Sequence, residues 1–268
     1  MKKTLMALAV AASAVVSGSA MAAGWEQNGT GGSVDLGGTL TPVEKVTPWE
    51  VKVGDTVTDL NAQIQKGQKE VSISVNKPIP VLGIRTASNI AFIGQPGISP
   101  NIDFSGAIDT NAFNNGKTNL TLSISDKDSG NDIGEMETKL TAGAGYSWSD
   151  PNNYGQGEYF SLGGINQTHE LFNGDLSRTV SGAMNGLVVD SIANAIFPGV
   201  KDKFDYQGIP VQEKVYWTGV LDVDSKHSAY YFSGINSDDV IKLTLKQAAQ
   251  GDSQINWKAS LPITVSYQ

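Results

Sequence analysis

Apolar and polar residues alternate with a period of two along several stretches of the chain. Runs centred on Ile73, Leu122 and Leu243 each place apolar side chains at every second position, with polar residues between them. This spacing predicts β-strands that turn one face toward a core and the other toward water. Polar turn sequences at 114–116 and 150–153 separate such runs. The pattern therefore predicts an all-β fold.

One stretch has a helical spacing instead. From Val180 to Phe197, apolar residues recur at steps of three and four, which predicts one or two short helices. Pro198 and Gly199 follow directly and predict that the helix ends there. The pattern leaves open whether this region packs on the sheet or carries a function.

Alternating segments stand near both ends of the chain. Near the front, one face of an extended segment would carry Val34, Leu36, Gly38 and Leu40. Toward the back, six apolar residues occupy every second position and predict a long strand: Trp257, Ala259, Leu261, Ile263, Val265 and Tyr267. Pro262 lies on the polar face of that strand and has no N–H, so we expect edge or irregular pairing there.

Residues 1–22 have the features of a secretory signal peptide. A basic head at Lys2 and Lys3 precedes a short apolar stretch, and Ala20-Met21-Ala22 matches a cleavage site, with Ala23 as the alternative cleavage point. The apolar stretch is shorter than the about 20 residues that a spanning helix needs. The sequence therefore predicts an exported chain.

Composition narrows the possible functions. The chain has 30 glycines, which fit many turns between strands. With 19 basic against 27 acidic residues, it lacks the basic excess of nucleic-acid-binding proteins, so we expect no nucleic-acid partner. There are no cysteines, so disulfides, thiol catalysis and cysteine-based metal sites are excluded.

The sequence contains no convincing catalytic or metal-binding motif. Asp126, Asp128 and Glu137 stand at calcium-loop positions, but Gly130 and Asn131 occupy places that need an oxygen ligand and a glycine. We therefore interpret this stretch as a polar hairpin. The two histidines are about sixty residues apart, and no carboxylate pair has the surroundings of a glycosidase site. We expect no enzyme activity, cofactor or metal.

Three stretches resemble those of pilins assembled by the periplasmic chaperone–usher pathway. They are residues 32–40, 170–178 and 240–267. The chain is most similar to the FaeG-type fimbrial subunits of enterotoxigenic Escherichia coli. It departs from many other pilins in lacking paired cysteines and a glycine near position 255.

The resemblance implies an incomplete immunoglobulin-like sandwich that lacks its final strand. A donor strand from the neighbouring subunit would complete it, with Val34, Leu36 and Leu40 as anchors and Gly38 where the groove is shallow. The resemblance also assigns the groove edge, on which a chaperone would dock, to Leu261, Ile263, Val265 and Tyr267. The implied partners are copies of the same or related subunits, a periplasmic chaperone and an outer-membrane usher. The implied route leads through the periplasm to fimbriae on the cell surface.

On this interpretation the chain divides into a signal peptide at 1–22, a donor-strand extension at 23–41 and a pilin-like sandwich at 42–268. A region inserted into the sandwich, roughly 143–215, would contain the short helices. Subunits of the FaeG type are also adhesins, which draws attention to aromatic residues in this region. We take these as candidate glycan-binding residues: Tyr146, Trp148, Tyr154 and Tyr159. Aromatic faces suit pyranose rings, although the same rings could simply pack under a loop.

Two other classes remain open at the level of sequence. A self-contained secreted lectin would fold without a chaperone and without residues 23–40. An outer-membrane β-barrel would share the signal peptide and the alternation, but its strands are longer and more regular than those predicted here.

Overall fold

The computed structural model describes residues 27–28, 34, 36–41, 46–216 and 219–268. The chain divides into two compact units, Met1–Lys45 and Val46–Gln268. The described residues of the first unit form neither helix nor strand. The predicted signal peptide and its cleavage site lie outside the described residues.

The second unit is built mainly of antiparallel strands, so the all-β prediction is confirmed. The strands are β1 (Trp49–Val53), β2 (Glu70–Ser74), β3 (Ile79–Thr86), β4 (Phe92–Ile93), β5 (Pro100–Asp103), β6 (Lys117–Asp126), β7 (Asp132–Ser149), β8 (Gly157–Leu162), β9 (Val215–Tyr216), β10 (Lys226–Ile235), β11 (Val240–Leu245), β12 (Trp257–Ala259) and β13 (Thr264–Tyr267). A 3-10 helix (Val180–Gly182) and the helix α1 (Gly186–Ile196) lie between β8 and β9. The predicted runs around Ile73, Leu122 and Leu243 correspond to β2, β6 and β11.

Strand β7 organises the larger sheet. Its first half pairs with β6 on one edge and β11 on the other, and its second half pairs with β8 and β10. The main path across this sheet is β1–β3–β10–β7–β11–β2. A second, two-stranded sheet is formed by β5 and β13. Together the strands form an all-β sandwich.

Strand β10 separates two apolar clusters. Ala229 and Tyr231 face the main core, which gathers the inward side chains of most strands. Tyr230 and Phe232 face a smaller cluster beneath α1. A strand that is buried on both faces has consecutive apolar residues instead of alternating ones, and residues 229–232 at the centre of β10 form such a run.

Helix α1 is the predicted helical stretch, and it ends before Pro198 as expected. The Asn185 side chain caps its start by accepting a hydrogen bond from the Leu187 amide at 2.7 Å. Glycines in the strands beneath the helix make room for large side chains: a Cβ on Gly145 would lie 2.4 Å from the Tyr230 ring, and one on Gly234 would lie 2.4 Å from Ile196. These glycines leave the space that the second cluster fills.

The predicted C-terminal strand is interrupted. Strand β12 pairs with β6, whereas β13 pairs with β5 in the other sheet. Pro262 lies in the break between them, which agrees with the irregular pairing expected there. The predicted start of an insertion at about residue 143 falls inside the continuous strand β7, and its bounds stay a prediction.

Candidate functional site

The C-terminal segment forms an apolar face that the body of the protein covers only in part. All six apolar side chains from Trp257 to Tyr267 are half-buried and pack against the main core, while the residues between them are exposed. Inward side chains elsewhere are covered more fully: Leu120 in β6 is 1% exposed, and Ile241 in β11 is 0% exposed. The difference indicates that the core has an open margin along this segment.

A second stretch at the core margin lies between β1 and β2. Within the described part of the chain, the backbone of residues 55–64 makes only a local hydrogen bond, from the Asn61 amide to the Asp59 carbonyl at 2.9 Å. Even so, Leu60 and Ile64 are half-buried against the main core. A stretch outside helices and strands, with so few backbone hydrogen bonds among the described residues, has N–H and C=O groups available for a partner.

Directly after residues 55–64, the chain is bonded to the residues that precede β12. The Gly67 amide donates to the Ala249 carbonyl at 2.8 Å. Lys66 also forms an ion pair with Asp252. Sequence reasoning missed this stretch because its apolar residues are too widely spaced to form an alternating run. Val57, Leu60 and Ile64 recur at steps of three and four, which is a helical spacing, yet the stretch forms no helix, so the sequence carries only a weak signal here.

The described residues of the N-terminal segment expose their apolar side chains. Val34, Leu36 and Leu40 are 84%, 93% and 96% exposed. Neither Gly37 nor Gly38 has a described atom within 4 Å of its would-be Cβ position. Three large apolar side chains with so much exposed surface, close together in a short segment, are typical of a site for another protein surface.

The predicted groove-edge residues lie where the sequence placed them relative to the core. Val265 and Tyr267 belong to β13, and Leu261 and Ile263 lie in the break before it. All four face the main core. Their proposed contact with a chaperone or a neighbouring subunit stays a prediction.

The four candidate glycan-binding rings do not share one surface. Tyr146 is 3% exposed and belongs to the main core, and Tyr159 is 0% exposed and belongs to the cluster beneath α1. The Tyr159 hydroxyl donates to Oδ1 of Asp190 at 2.8 Å. Burial, followed by the charge of Asp190, raises the pKa of Tyr159. Protein atoms cover both rings, so neither offers a face to a sugar.

Tyr146 is bonded to a buried histidine. Its hydroxyl lies 2.7 Å from Nδ1 of His227, and Nε2 of His227 lies 2.9 Å from the Asp222 carbonyl oxygen. Because a carbonyl only accepts, Nε2 carries the proton, and Nδ1 accepts from the tyrosine in the neutral ring. Burial raises the pKa of Tyr146 and lowers the pKa of His227.

Trp148, the third ring, lines an open cleft. It is half-buried and lies opposite His227 across the β7–β10 ladder. Glu158 on β8 forms a 2.6 Å ion pair with Lys214, whose Nζ also lies 5.9 Å from the centroid of the Phe160 ring. The cleft thus combines an aromatic floor with carboxylate and hydroxyl groups; it is lined by Tyr146, Trp148, Glu158, Phe160, Val220, Asp222 and Ser225.

Tyr154, the fourth ring, is 80% exposed in the turn between β7 and β8. The Asp150 carboxylate holds this turn by accepting from the Asn152 amide at 2.8 Å and from the Asn153 side chain at 2.9 Å. The ring lies over Gly208, where a Cβ would come within 2.6 Å of it. Trp148 and Tyr154 are therefore the two candidates with surface to offer.

The calcium-like stretch is the hairpin turn between β6 and β7. Asp126 accepts hydrogen bonds from both the amide and the hydroxyl of Ser129, each at 2.7 Å. These bonds lower the pKa of the Asp126 carboxyl. Among the described residues, no group of three or more acidic or histidine side chains is arranged to hold a metal ion.

In the same part of the chain, no helix is long and apolar enough to cross a bilayer.

Comparison with known proteins gives consistent relatives over the whole chain. The sequence model of the family described as "Fimbrial, major and minor subunit" matches residues 1–268. K88 fimbrial protein AB of Escherichia coli is 30% identical over an alignment of 294 positions, and F41 fimbrial protein of Escherichia coli is 27% identical over one of 285 positions. K88 fimbrial protein AC of Escherichia coli is 28% identical over an alignment of 297 positions. Each alignment covers 100% of both chains.

The chain has the fold of an all-β sandwich and fimbrial relatives over its whole length. It is a structural subunit of a fimbria, which is a polymeric fibre on the cell surface. The chain belongs to the family of major and minor fimbrial subunits, as its FaeG-type resemblance predicted.

Proposed function

We propose that the chain polymerises by donor-strand exchange. In this arrangement residues 34–40 of one subunit lie along the C-terminal segment of the next, between that segment and residues 55–64. The observation that carries the proposal is a match of two incomplete surfaces. One is the exposed row of Val34, Leu36 and Leu40, and the other is the half-covered apolar face from Trp257 to Tyr267.

The free energy of burial favours insertion of the donor strand into the neighbouring subunit. Each of the three large side chains contributes roughly 1.5–3 kcal/mol when it passes from water to full burial. The unpaired backbone of residues 55–64 and the free edge of β13 gain partners by strand addition. Because the contact joins two different surfaces and does not close on itself, it generates a filament.

The same surfaces account for the other proposed partners. A subunit with an open apolar margin needs a cover before assembly, which a periplasmic chaperone would supply along Leu261, Ile263, Val265 and Tyr267. An outer-membrane usher would then exchange the chaperone for the extension of the next subunit. The expected route therefore runs through the periplasm to the cell surface.

The test is to supply the donor strand in the same chain. The mature chain is expressed with and without a second copy of residues 24–41 after Gln268. We expect the extended form to be a stable monomer and the unextended form to aggregate or polymerise, as measured by size-exclusion chromatography and thermal unfolding. Equal stability of the two forms would instead indicate a self-contained domain.

As a second function, we propose that the Trp148 cleft binds a host glycan; Tyr154 lies over Gly208, outside the cleft lining, and would be a separate contact. Its support is the combination of the half-buried Trp148 ring with the hydroxyl of Ser225 and the half-exposed carboxylate of Asp222. An aromatic face covers the apolar side of a pyranose while oxygen groups bind its hydroxyls.

A glycan array probed with the self-complemented chain tests this second proposal. We expect the Trp148→Ala variant to lose binding and Tyr154→Ala to weaken it. The Val240→Ala variant, which truncates a half-exposed side chain on β11, serves as the control and should bind normally. Undiminished binding by both aromatic variants would exclude this cleft.

A further inference from the structure

Residues 171–174 run along β5 on the edge away from β13. The Phe172 amide donates to the Pro100 carbonyl at 2.8 Å, and the Ile102 amide donates to the Asn173 carbonyl at 2.8 Å. Strand β5 uses its other edge to pair with β13. Strand β5 therefore lies between residues 171–174 and the C-terminal strand β13, and a shift of residues 171–174 would move β5 and with it β13.

The segment reaches β5 with an unusual backbone. A Cβ on Gly174 would lie 1.9 Å from the Ile102 carbonyl oxygen, so only glycine permits the approach. Phe172 has a φ of 59°, which is uncommon for a bulky residue, and its side chain is fully buried. The packing around Phe172 has to hold this strained backbone in place. A loss of packing beside residues 172–174 would therefore also weaken their hydrogen bonds to β5.

Asp175 follows directly and is 0% exposed. Neither of its carboxyl oxygens has a well-formed hydrogen-bond partner among the described residues. Ser233 on β10 favours the ionised form, but burial outweighs it and raises the pKa of Asp175 well above its usual value. Tyr231, on the same face of β10 as Ser233, packs on Phe172 with ring centroids 5.4 Å apart.

Charged side chains on the neighbouring segments are engaged elsewhere. Glu170 accepts from the amides of residues 166 and 167, each at 2.7 Å. Arg178 donates to a threonine hydroxyl at 2.9 Å, and Asp103 on β5 accepts from the following turn at 2.7 Å. Among the described residues, none of these groups contributes to the raised pKa of Asp175. Within the described part of the chain, the Asp175 carboxyl therefore has no cation beside it to balance a negative charge.

We propose that Asp175 is held uncharged in the core and that its ionisation loosens the segment behind β5 and β13, which makes the C-terminal strand a pH-sensitive element of the subunit. An ionised carboxylate without a partner is costly in an apolar interior, so the chain opens locally to let water reach it. The β5–β13 ladder lies within one subunit, so this device operates whether or not subunits join by donor-strand exchange.

The direction of the pH effect follows from proton linkage. The folded state keeps its proton at pH values where the open state, with an ordinary carboxyl, has released it. Stability is therefore greatest below about pH 3.9, the ordinary pKa of aspartate, and falls as the pH rises toward the raised value. Within that window, the equilibrium constant for an opening that exposes Asp175 rises about tenfold per pH unit.

Hydrogen exchange on purified fimbriae of the full chain tests the proposal. Peptides covering 100–103, 171–175 and 264–267 are followed by mass spectrometry between pH 5 and pH 8, with rates corrected for intrinsic exchange. We expect protection in these peptides to fall with rising pH in the native protein. The Asp175→Asn variant, which has the same shape and no ionisable group, should show a flat profile.

Two further variants keep the outcome interpretable. Asp103→Asn makes the same change at an exposed position on β5 and should keep the native pH profile. Ser233→Ala retains the acid but removes the hydroxyl that favours its ionised form, so it should keep or enlarge the loss between pH 5 and pH 8, even if Asp175→Asn fails to assemble. A flat profile in the native protein, or an unchanged profile in Asp175→Asn, overturns the proposal.

Discussion

Single side chains fix the helix to the sheet of this subunit. Asp190 on α1 accepts hydrogen bonds from the hydroxyls of Tyr159, Tyr206 and Tyr230, and Lys201 Nζ lies 3.6 Å from its Oδ2. Hydrogen bonds to a charged acceptor are about twice as strong as neutral ones. One carboxylate thus bonds the helix, the following loop and two strands together.

His227 gives a prediction at the same scale. Burial lowers the pKa of His227, so its ring stays neutral in the folded protein at pH values where the same ring already binds a proton in the unfolded chain. Its contribution to the free energy of unfolding is complete above about pH 6.5 and is lost as the pH falls toward the lowered value. We expect urea unfolding of the self-complemented chain to show this acid-side loss, and His227→Gln to reduce it.

His169→Gln is the matched control, since His169 is exposed. The control should keep the native pH profile. A His227→Gln variant with an undiminished acid-side loss would contradict the assignment.

At the scale of elements, helix α1 depends on the bare strand surface beneath it. Gly145 faces the Tyr230 ring, and a Cβ there would lie 2.4 Å from the nearest ring atom. Tyr230 cannot easily move because it is fully buried and bonded to Asp190. The small residues of β7 are therefore part of the helix–sheet interface.

The corresponding prediction concerns Gly145→Ala. We expect this variant to lose about 1–3 kcal/mol of unfolding free energy, the usual cost of overpacking a core. Gly37→Ala is the control when it is made only in the N-terminal copy of the extension, which the self-complemented chain leaves outside the groove and where its Cβ meets nothing within 4 Å. Chemical denaturation of the self-complemented chain measures both, and equal midpoints for the two variants would contradict the interpretation.

The sequence predicted the elements better than their partners. Alternation around Leu122 and Leu243 located β6 and β11, and a spacing of three to four located α1. The same alternation predicted one long strand from Trp257 to Tyr267, but it could not reveal that the strand changes sheets at Pro262. Pairing depends on residues far away in the chain, which a local period does not record.

The candidate site was predictable to a similar extent. Inward and outward positions of the C-terminal segment followed from its period of two. By contrast, the burial of Tyr146 and Tyr159 could not be foreseen, because an aromatic residue in a polar stretch looks the same whether it lies under a helix or on a surface. The buried acid at Asp175 has no sequence signal, since Ser233, the polar group beside it, comes from a distant part of the chain.

At the scale of the whole molecule, residues 34–40 expose apolar side chains that contact with a neighbouring subunit would bury. Leu36, near its centre, is 93% exposed, and Thr39 lies on the opposite face of the predicted strand. A charge placed on the apolar face would have to enter another subunit's core under the proposed exchange, which is strongly unfavourable. A charge on the other face would remain near water.

We therefore expect Leu36→Asp to abolish fimbriae and Thr39→Asp to leave them largely intact. Electron microscopy of cells and the yield of heat-released fibres provide the measurement. Because both variants introduce the same residue three positions apart, a general effect of charge on export would reduce both alike. Normal fibres from Leu36→Asp would contradict strand donation through this face.

The open margin along the C-terminal segment also bears on how such a fibre responds to force. Under the proposed exchange, two neighbours are joined by a strand inside a core and not by two flat surfaces. Pulling them apart would expose apolar side chains and break a ladder of backbone hydrogen bonds, as unfolding does. The lifetime of a stretched junction would then be set by an unfolding rate, and forced unfolding is a kinetic event. A fibre built in this way would withstand brief tension far better than sustained tension.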